Sequence, residues 1–459
     1  MTLEALAGFT DGLRTWQERV PAPPAIAQRW CMLGLQGGIA MMGIVSLHPY
    51  FLWGYQKPLY AAATLMIAAC AAGCLRKLVV TRERILLSAA AALFLLYLSV
   101  LPKVHGGVTR WFFLIPFTVA LVHLSREDLS AAFDKFQVLF AASLLPGMIV
   151  WVWLVLGLPL QVEWIFPPSD LVQREQTPYF MFPGVVFLPA NAMLLPNGGT
   201  MFRLCAVYDE PGTVGTIAAL CLAATRFRLS DLRGAICFLA GVMSFSIAFA
   251  ALVFVGLAAT AVISRRFSLL LFAVIGALPG LASATGLELK VDNPRRSTSL
   301  KMKLTPSHPY FQEEKRVDFR ERVELFEHAR IRQTHALDNR ALPSMQRLFG
   351  EYLRAGPGTL LFGIASNASS VHAGDSASWR QILINYGAVG FAWLFVIFAA
   401  PVAWLWHTRQ LKAAAALFCL LFLMSFYQRP VIWLPAQILI YFAGLFYVHR
   451  LKRHLPASS

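Results

Sequence analysis

Long apolar segments limit what this chain can fold into more than any other feature of its sequence. The 459 residues include repeated blocks of about 15–25 apolar residues, each long enough as an α-helix to cross a hydrocarbon core of roughly 30 Å. A membrane-spanning barrel would instead show alternating segments of about ten residues, and these blocks do not alternate. The sequence therefore predicts an all-α polytopic membrane protein built as one helical bundle.

The composition agrees with a membrane protein and argues against a nucleic-acid-binding one. The chain is 57% hydrophobic and 14% charged, whereas soluble domains are about 45–50% apolar and about 25% charged. Its formal net charge is +16, but Lys and Arg gather at the ends of the apolar blocks, as they do at the cytoplasmic ends of membrane helices. No basic motif is interleaved with aromatic residues, so no nucleic-acid partner is predicted.

About twelve transmembrane helices are predicted. The block at 234–263 is long enough for one helix, or for two short helices that meet near Ser244-Phe245-Ser246. Arginines flank this block on both sides, and both clusters should face the cytoplasm, which requires an even number of crossings and hence two helices. The other predicted spans are 30–48, 59–75, 85–101, 110–124, 136–158, 213–226, 267–284, 379–405, 413–426 and 432–448.

The parity of these spans places both termini in the cytoplasm and two large loops on the outer side. The second loop is rich in Lys and Arg, but the charge rule applies to short loops, and long ones cross largely regardless of charge. In order, we predict a cytoplasmic segment (1–29), helices 1–5 (30–158), a first outer loop (159–212), helices 6–9 (213–284), a second outer loop (285–378), helices 10–12 (379–448) and a cytoplasmic tail (449–459).

Shorter elements are predicted outside the spans. Residues 10–20 form an amphipathic helix suited to the inner membrane surface, and the prolines after it end the helix. Pro196-Asn197-Gly198-Gly199, between two apolar runs, is a turn signal and predicts a hairpin-like or interfacial element in the first outer loop, where prolines make 179–195 a poor helix. In the second outer loop, the patterns of 320–335 and 345–354 are helical.

Polar groups beside the spans need a partner or a function, because ionisable side chains near a bilayer are costly. The first set ends the first outer loop, MFRLCAVYDEPGTVGT, and includes Arg203, Asp209 and Glu210. Pro211 suits a first helical turn, and acids before it suit the positive end of the helix dipole, which by itself explains both carboxylates. Arg203 either binds phosphate, for which a guanidinium is well shaped, or pairs with Glu210 inside the protein.

The second set lies in LFGIASNASSVHAGDSASWRQILINYGAVG, residues 361–390, where a polar loop leads directly into an apolar helix. Gly363 permits a close approach of backbone, and Asn367 offers an amide suited to sugars. Histidine titrates near neutral pH, so His372 can take a proton from an attacking hydroxyl. The alternative is a loop histidine without any role.

The third set is Tyr427-Gln428-Arg429-Pro430, where Arg429 is either an interfacial anchor or a second basic group of the site. The histidines show no metal-binding spacing, and neither a P-loop nor a GxSxG elbow occurs, so no metal and no other cofactor is predicted. An enzyme that acts outside the cytoplasm without nucleotide or metal needs a preactivated substrate. A sugar on a lipid diphosphate meets that need, because arginines can stabilise the departing diphosphate.

Together these features resemble the O-antigen ligase and O-antigen or exopolysaccharide polymerase family of bacterial inner-membrane glycosyltransferases. One similar stretch is Arg203 followed by YDEPGTVGT. The other runs from Arg347 through LLFGIASNASS to His372 and WRQILINYGAVG. The motifs cover only about 60 of the residues, whereas the layout of spans and loops covers the whole chain.

Two departures from the family pattern accompany the resemblance. The turn Ser244-Phe245-Ser246-Ile247 lacks the arginine that many members carry there, which puts one phosphate or sugar contact in doubt. Ala373 stands where an asparagine often follows the histidine. The stretch YQRPVIWLP at 427–435, and DEPG in the first motif, look more like polymerases than ligases.

The resemblance implies a polysaccharide polymerase, located in the bacterial inner membrane. It would transfer a glycan from undecaprenyl diphosphate onto another lipid-linked repeat unit at the periplasmic face, without a metal ion. His372 would position or deprotonate the acceptor hydroxyl. The substrate contacts implied are Arg203, Glu210, Arg347, Asn367 and Arg429, with the arginines on the diphosphate and Glu210 orienting Arg203.

Two alternatives remain at this stage. An O-antigen ligase would use the same donor with lipid A–core as acceptor, which the basic second loop would suit. A transporter or flippase is less favoured, because transporters place ionisable residues mid-membrane and show internal repeats. The partners expected are an undecaprenyl-diphosphate-linked oligosaccharide, membrane lipid and a chain-length regulator protein.

Overall fold

The structure is a computed structural model that describes most of the chain. The described residues are 3–20, 24–104, 111–158, 163–165, 179–188, 193–194, 200–265, 267–285, 343–373, 379–428, 430 and 432–446. The predicted helix at 320–335, the turn at 196–199 and Arg429 lie outside them.

Helices dominate this part of the chain. They are α1 (Leu3–Arg19), α2 (Ala25–Val45), α3 (Gln56–Gly73), α4 (Arg82–Val100), α5 (Ile115–His123), α6 (Arg126–Val155), α7 (Pro211–Ala224), α8 (Leu232–Met243), α9 (Ile247–Ser264), α10 (Leu269–Thr285), α11 (Pro343–Arg354), α12 (Pro357–Phe362), α13 (Ala368–Ala373), α14 (Arg380–His407), α15 (Ala413–Gln428) and α16 (Pro435–Phe446). Single 3-10 turns occur at Tyr50–Leu52, Leu75–Lys77 and Trp111–Leu114.

Four of the described helices are long and apolar enough to cross a membrane, namely α4, α6, α9 and α14. Shorter apolar helices of 10–17 residues accompany them, α7, α8, α15 and α16 among these. The fold is therefore helical and apolar, as a polytopic membrane protein requires. The number of twelve spans stays a prediction.

Helix boundaries differ from the predicted spans where local capping decides them. α6 begins at Arg126 rather than near 136, because Ser125 accepts a hydrogen bond from Asp128 N at 3.1 Å and so caps the helix. α16 begins at Pro435 rather than at 432, because Trp433 has a left-handed φ of 56° and forms a turn before it.

The block at 234–263 forms two helices, as the charge rule predicts. α8 ends at Met243 and α9 begins at Ile247, with Ser244, Phe245 and Ser246 between them. Phe245 has a left-handed φ of 48°, and Ser246 caps α9 by accepting from Phe249 N. The chain therefore turns back at this point.

Contacts between distant elements group the helix ends into two sets. We call one set the loop end, comprising residues 46–55, 101–104, 200–210, 244–246, 343–373 and 430–434. It is joined by hydrogen bonds from Tyr50 N to Val207 O (2.8 Å), from Ser366 N to Pro102 O (2.8 Å) and from Gln381 Nε2 to Pro430 O (2.9 Å).

The opposite end comprises residues 74–81, 124–125, 225–231 and 408–412. Its bonds run from Val79 N to His123 O (2.8 Å), from Arg126 Nη2 to Gln410 Oε1 (2.9 Å) and from Arg226 Nη1 to Ala414 O (2.8 Å). The amphipathic α1 docks here, longer than predicted, with Gln17 Nε2 donating to the carbonyls of Leu75 and Leu78. Both polar segments singled out in the sequence thus lie at the loop end.

Short strands occur only in the first loop among the described residues. β1 (Glu163–Ile165), β2 (Tyr179–Phe182) and β3 (Val185–Phe187) form an antiparallel sheet in the order β1-β2-β3. The β2–β3 turn is Pro183-Gly184, with Gly184 at φ 78°. β4 (Met193–Leu194) pairs antiparallel with β5 (Thr200–Met201), which agrees with the hairpin-like element predicted there, although the turn itself lies outside the described residues.

An aromatic cluster fills the middle of the bundle. Phe398 of α14 lies 4.9 Å from Tyr441 of α16 and 6.3 Å from Trp433, measured between ring centroids. Trp433 is buried, packs on Phe94 of α4 and donates its Nε1–H to Thr118 Oγ1 at 3.0 Å. Contacts with α4, α5 and α14 therefore fix the turn before α16.

Candidate functional site

Arg203 reaches the turn between α8 and α9. Its Nε donates to Ser244 O at 2.9 Å, and Leu204 N donates to Met243 O at 3.0 Å. The guanidinium is half-buried at this position. This turn is the one that carries no arginine of its own, so Arg203 brings a cation to it from another element.

The backbone after Arg203 is fixed by three neighbours. Ala206 has a left-handed φ of 56°, and its carbonyl accepts from Val186 N of β3 at 2.8 Å. Gly147 of α6 lies so close that a Cβ there would be 2.6 Å from Ala206 Cα. Tyr208 Oη and Ser143 Oγ are hydrogen-bonded at 2.6 Å. A segment held on so many sides can present its side chains in one arrangement.

Asp209 and Glu210 precede α7, as predicted. Glu210 is the residue before the first helical position, Pro211 fills that position, and the Glu210 carbonyl accepts from Thr213 N at 3.1 Å. The Glu210 carboxylate does not cap the helix. Its pairing with Arg203 therefore stays a prediction.

His48 is a candidate site residue that sequence reasoning missed. It follows α2 in a left-handed conformation (φ 57°), and its Nδ1 lies 4.0 Å from Asp209 Oδ2. The His48 side chain is 33% exposed and that of Asp209 is 16% exposed. The sequence His48-Pro49-Tyr50 gives no signal for this contact, because the two residues are far apart in the chain and only packing joins them.

The described part of the second polar segment before residue 374 is not an irregular loop, in contrast to the prediction. It contains two short helices, α12 and α13, with Ser366 between them. Asn367 O accepts from Val371 N at 3.1 Å and from Ser370 Oγ at 2.9 Å, so the polar residues themselves close the α13 turn. His372 is therefore on a helix, near its end.

Two glycines let this segment cross α14. Gly363 has φ 85°, and Gly387, inside α14, has φ 65° and interrupts the helix. A Cβ on Gly363 would be 2.6 Å from Asn385 C, and a Cβ on Gly387 would collide with Leu361 O. The predicted close approach at Gly363 is confirmed.

Two asparagines anchor the segment. The Asn367 Oδ1 accepts from Val104 N at 2.8 Å, and the Asn385 Oδ1 accepts from Ser369 N at 2.9 Å. Asn367, predicted to bind sugar, thus has one amide oxygen committed to the backbone of residues 101–104. Asn385 was not singled out, since an Asn within an apolar helix gives no sign of its partner.

The remaining predicted residues differ in position. His372 is exposed on α13. Arg347 is exposed on α11, on the side away from the buried face formed by Met345, Leu348 and Tyr352. A second cation, which the sequence did not single out, lies nearby: the Arg380 guanidinium is 5.7 Å from the Phe349 ring centroid.

The turn before α16 touches the neighbours of both segments. Pro430 O accepts from Gln381 in the first turn of α14, whose Asn385 holds α13. Ala436 N donates to Ser46 Oγ at 3.1 Å, two residues before His48. The two segments thus lie at one end of the bundle, where these hydrogen bonds link the neighbours of each segment to Pro430 and Ala436.

Burial raises the pKa of Tyr50 and of Tyr352, because ionisation of a phenol is costly away from water. These two tyrosines are therefore neutral at physiological pH. Across the described ranges, no group of three or more His, Cys, Asp or Glu side chains could hold a metal ion. The ionisable candidates at the site are the histidines, arginines and carboxylates named above.

Comparison with known proteins identifies no relative. No protein-family model, no curated protein and no solved structure matches this chain. Any function must therefore be argued from the residues at the loop end.

Proposed function

We propose that the chain is a membrane glycosyltransferase that uses a lipid-diphosphate-linked glycan as donor, and that it is a polysaccharide polymerase. The observation that carries this proposal is the location of both polar segments at the same end of an apolar helical bundle. One segment brings Arg203 to the α8–α9 turn. The other presents His372 on an exposed helix.

The roles follow from the chemistry of the side chains. A guanidinium can bind a phosphate through two parallel hydrogen bonds, which suits Arg203 to the donor diphosphate. His372 takes the proton of the acceptor hydroxyl as its oxygen attacks the anomeric carbon. The bond from that carbon to the diphosphate breaks, and the diphosphate leaves with the electron pair. Arg347, Arg380 and Arg429 are further cations that can bind the diphosphate or negatively charged sugars.

A polymerase is preferred to a ligase because of the stretch at 427–435 and because of DEPG in the first segment. The ligase alternative draws on the many Lys and Arg residues of the second loop, which suit a phosphorylated acceptor such as lipid A–core. In both cases the chain lies in the bacterial inner membrane with about twelve spans, both termini in the cytoplasm and the loop end at the periplasmic face. The partners proposed are undecaprenyl-diphosphate-linked oligosaccharide, membrane lipid and a chain-length regulator protein.

The test is the glycolipid profile of a deletion strain that carries wild-type chain, His372→Ala or Arg203→Ala. Single repeats attached to lipid A–core indicate a lost polymerase, whereas long chains that accumulate on undecaprenyl diphosphate indicate a lost ligase. His407→Ala and Arg409→Ala, which change the same residue types at the opposite end, serve as matched controls. We expect both site variants to reproduce the deletion and both controls to restore the wild-type profile.

A contrary result is equally clear. If the purified protein extended no lipid-linked repeats but moved them across vesicles, the glycosyltransferase proposal would be abandoned in favour of a transporter. If His372→Ala restored the full wild-type profile, His372 would lose its assigned role.

A further inference from the structure

The His48–Asp209 pair lies at the same end of the bundle as Arg203 and His372. The roles assigned above to Arg203 and His372 leave this pair without one. His48 comes from the turn after α2, and Asp209 from the segment that also carries Arg203. The Nδ1–Oδ2 separation of 4.0 Å is at the limit of an ion pair. At this separation the carboxylate does not hydrogen-bond the ring, but its negative charge favours the protonated imidazole.

The backbone on both sides of this pair is fixed. His48 O accepts from Trp53 Nε1 at 3.2 Å, and Asp209 O accepts from Tyr179 Oη at 2.9 Å. Tyr50 N bonds Val207 O, so the two turns are also joined directly. His48 adopts a left-handed conformation (φ 57°), which is uncommon outside glycine but which Asn, Asp and His adopt more readily than other residues.

The imidazole is placed to reach a ligand. Its side chain is one-third exposed, whereas the carboxylate beside it is mostly covered, so the ring and not the carboxylate faces outward. This is the arrangement expected when a carboxylate supports a histidine that exchanges a proton with a substrate.

We infer that His48, supported by Asp209, is the proton donor to the departing diphosphate. This inference rests on the proposed function. As the bond from the anomeric carbon to the diphosphate oxygen breaks, that oxygen receives the electron pair and takes the proton from the His48 imidazolium. His372 takes the proton of the acceptor hydroxyl. Exchange with water returns each histidine to its starting form, so one glycoside and one protonated diphosphate are produced.

Other charged groups around His48 bear on its titration. Asp209 faces it from the segment before α7, which also carries Arg203 and Glu210. Tyr50 on its own turn is kept neutral by burial, which raises its pKa. On the turn before α16, the described residues Pro430 and 432–434 carry no ionisable side chain, and Arg429 lies outside the described residues.

The test uses the purified full chain and the lipid-linked repeats that accumulate in the deletion strain. His48→Asn is the informative variant, because Asn tolerates a left-handed conformation but does not titrate. We expect kcat to fall about 10²-fold or more, the usual share of general acid catalysis, with KM little changed. Wild-type kcat should decline at alkaline pH as the imidazolium loses its proton, and this decline should be absent in His48→Asn.

Asp209→Asn provides a second readout and decides the question if His48→Asn fails to fold. Without the carboxylate the imidazolium is less favoured, so the alkaline decline of kcat should begin at a lower pH. His407→Asn, at the opposite end, should behave as wild type.

The outcomes separate the two proposals. Unchanged kcat in His48→Asn, or an unmoved alkaline decline in Asp209→Asn, overturns the inference and leaves the proposed function standing. A wild-type protein that transfers nothing overturns both.

Discussion

Several single residues at the loop end have structural roles, and these roles restrict their availability for binding a ligand. Gly363 and Gly387 both have positive φ, and a Cβ on either would collide with neighbouring backbone, so neither can carry a side chain without displacing it. Asn367 Oδ1 accepts a hydrogen bond from Val104 N, and this structural role does not require a sugar. Such structural roles explain, without a ligand, why part of the 361–390 stretch is polar.

Gly387→Ala should destabilise the protein by about 1–3 kcal/mol, because the left-handed conformation strains an L side chain and the new Cβ meets Leu361 O. The measurement is the thermal midpoint of the detergent-solubilised protein. Gly358→Ala is the matched control: a Cβ there meets nothing within 4 Å, and alanine favours the α12 helix. Equal midpoints for the two variants would contradict the structure around Gly387.

Asn367→Ala should cost about 1 kcal/mol, because Val104 N loses its acceptor. Asn367→Asp retains an oxygen at the same place and should be close to wild type in stability. Thermal midpoints of both variants test this. If Asn367→Asp were as destabilised as Asn367→Ala, the hydrogen bond to Val104 N would not be the reason.

At the scale of elements, each end of the bundle is tied together by side-chain donors to backbone carbonyls. At the opposite end, Arg226 donates to Ala414 O at 2.8 Å and to Gly444 O at 2.9 Å, and so joins α7 to α15 and α16. At the loop end, Arg203 donates to Ser244 O. These bonds connect helices that follow one another only after long stretches of chain.

Arg226→Gln should lower the free energy of unfolding by about 1–3 kcal/mol, since two carbonyls at helix ends lose a charged donor. Arg228→Gln, two residues away, is the control, and a small effect is expected there. Thermal unfolding of both variants provides the comparison. Should Arg228→Gln prove as harmful as Arg226→Gln, loss of positive charge rather than loss of the bridge would be responsible.

For the whole molecule, the central question is which surface faces which compartment. The contacts place residues 179–188 and 343–373 at one end and residues 408–412 at the other. We therefore expect Pro183→Cys and Glu351→Cys, both at exposed positions, to react with a membrane-impermeant maleimide from the periplasmic side of intact cells. Gln410→Cys should react only after the membrane is opened.

The background for this experiment replaces the two half-buried native cysteines, Cys31 and Cys70, by serine. Labelling of Pro183→Cys and Glu351→Cys from different sides would refute the shared loop end, and with it the proposed site. Reaction of all three variants from the outside would refute the predicted topology.

The sequence by itself determined the helical class, the division of 234–263 into two helices, the hairpin-like pairing of the strands that flank 196–199 and the suitability of Pro211 for the first turn of α7. Each depends on local signals: apolar length, charge at helix ends, and turn residues whose preferred dihedrals act within a few positions. Arg203 and His372 were singled out in the same way, as candidates, because polar groups beside apolar spans are costly without a partner or a function.

Only the tertiary structure decided that Arg203 meets the α8–α9 turn, that Asn367 anchors a backbone amide, and that His48 lies beside Asp209. These pairs are separated by 41, 263 and about 160 residues along the chain. Local sequence preferences do not encode such contacts, because the contacts depend on which helices of similar apolar character pack against one another. Packing of the whole bundle determines these neighbours, and it brings the residues of the candidate site together at the loop end.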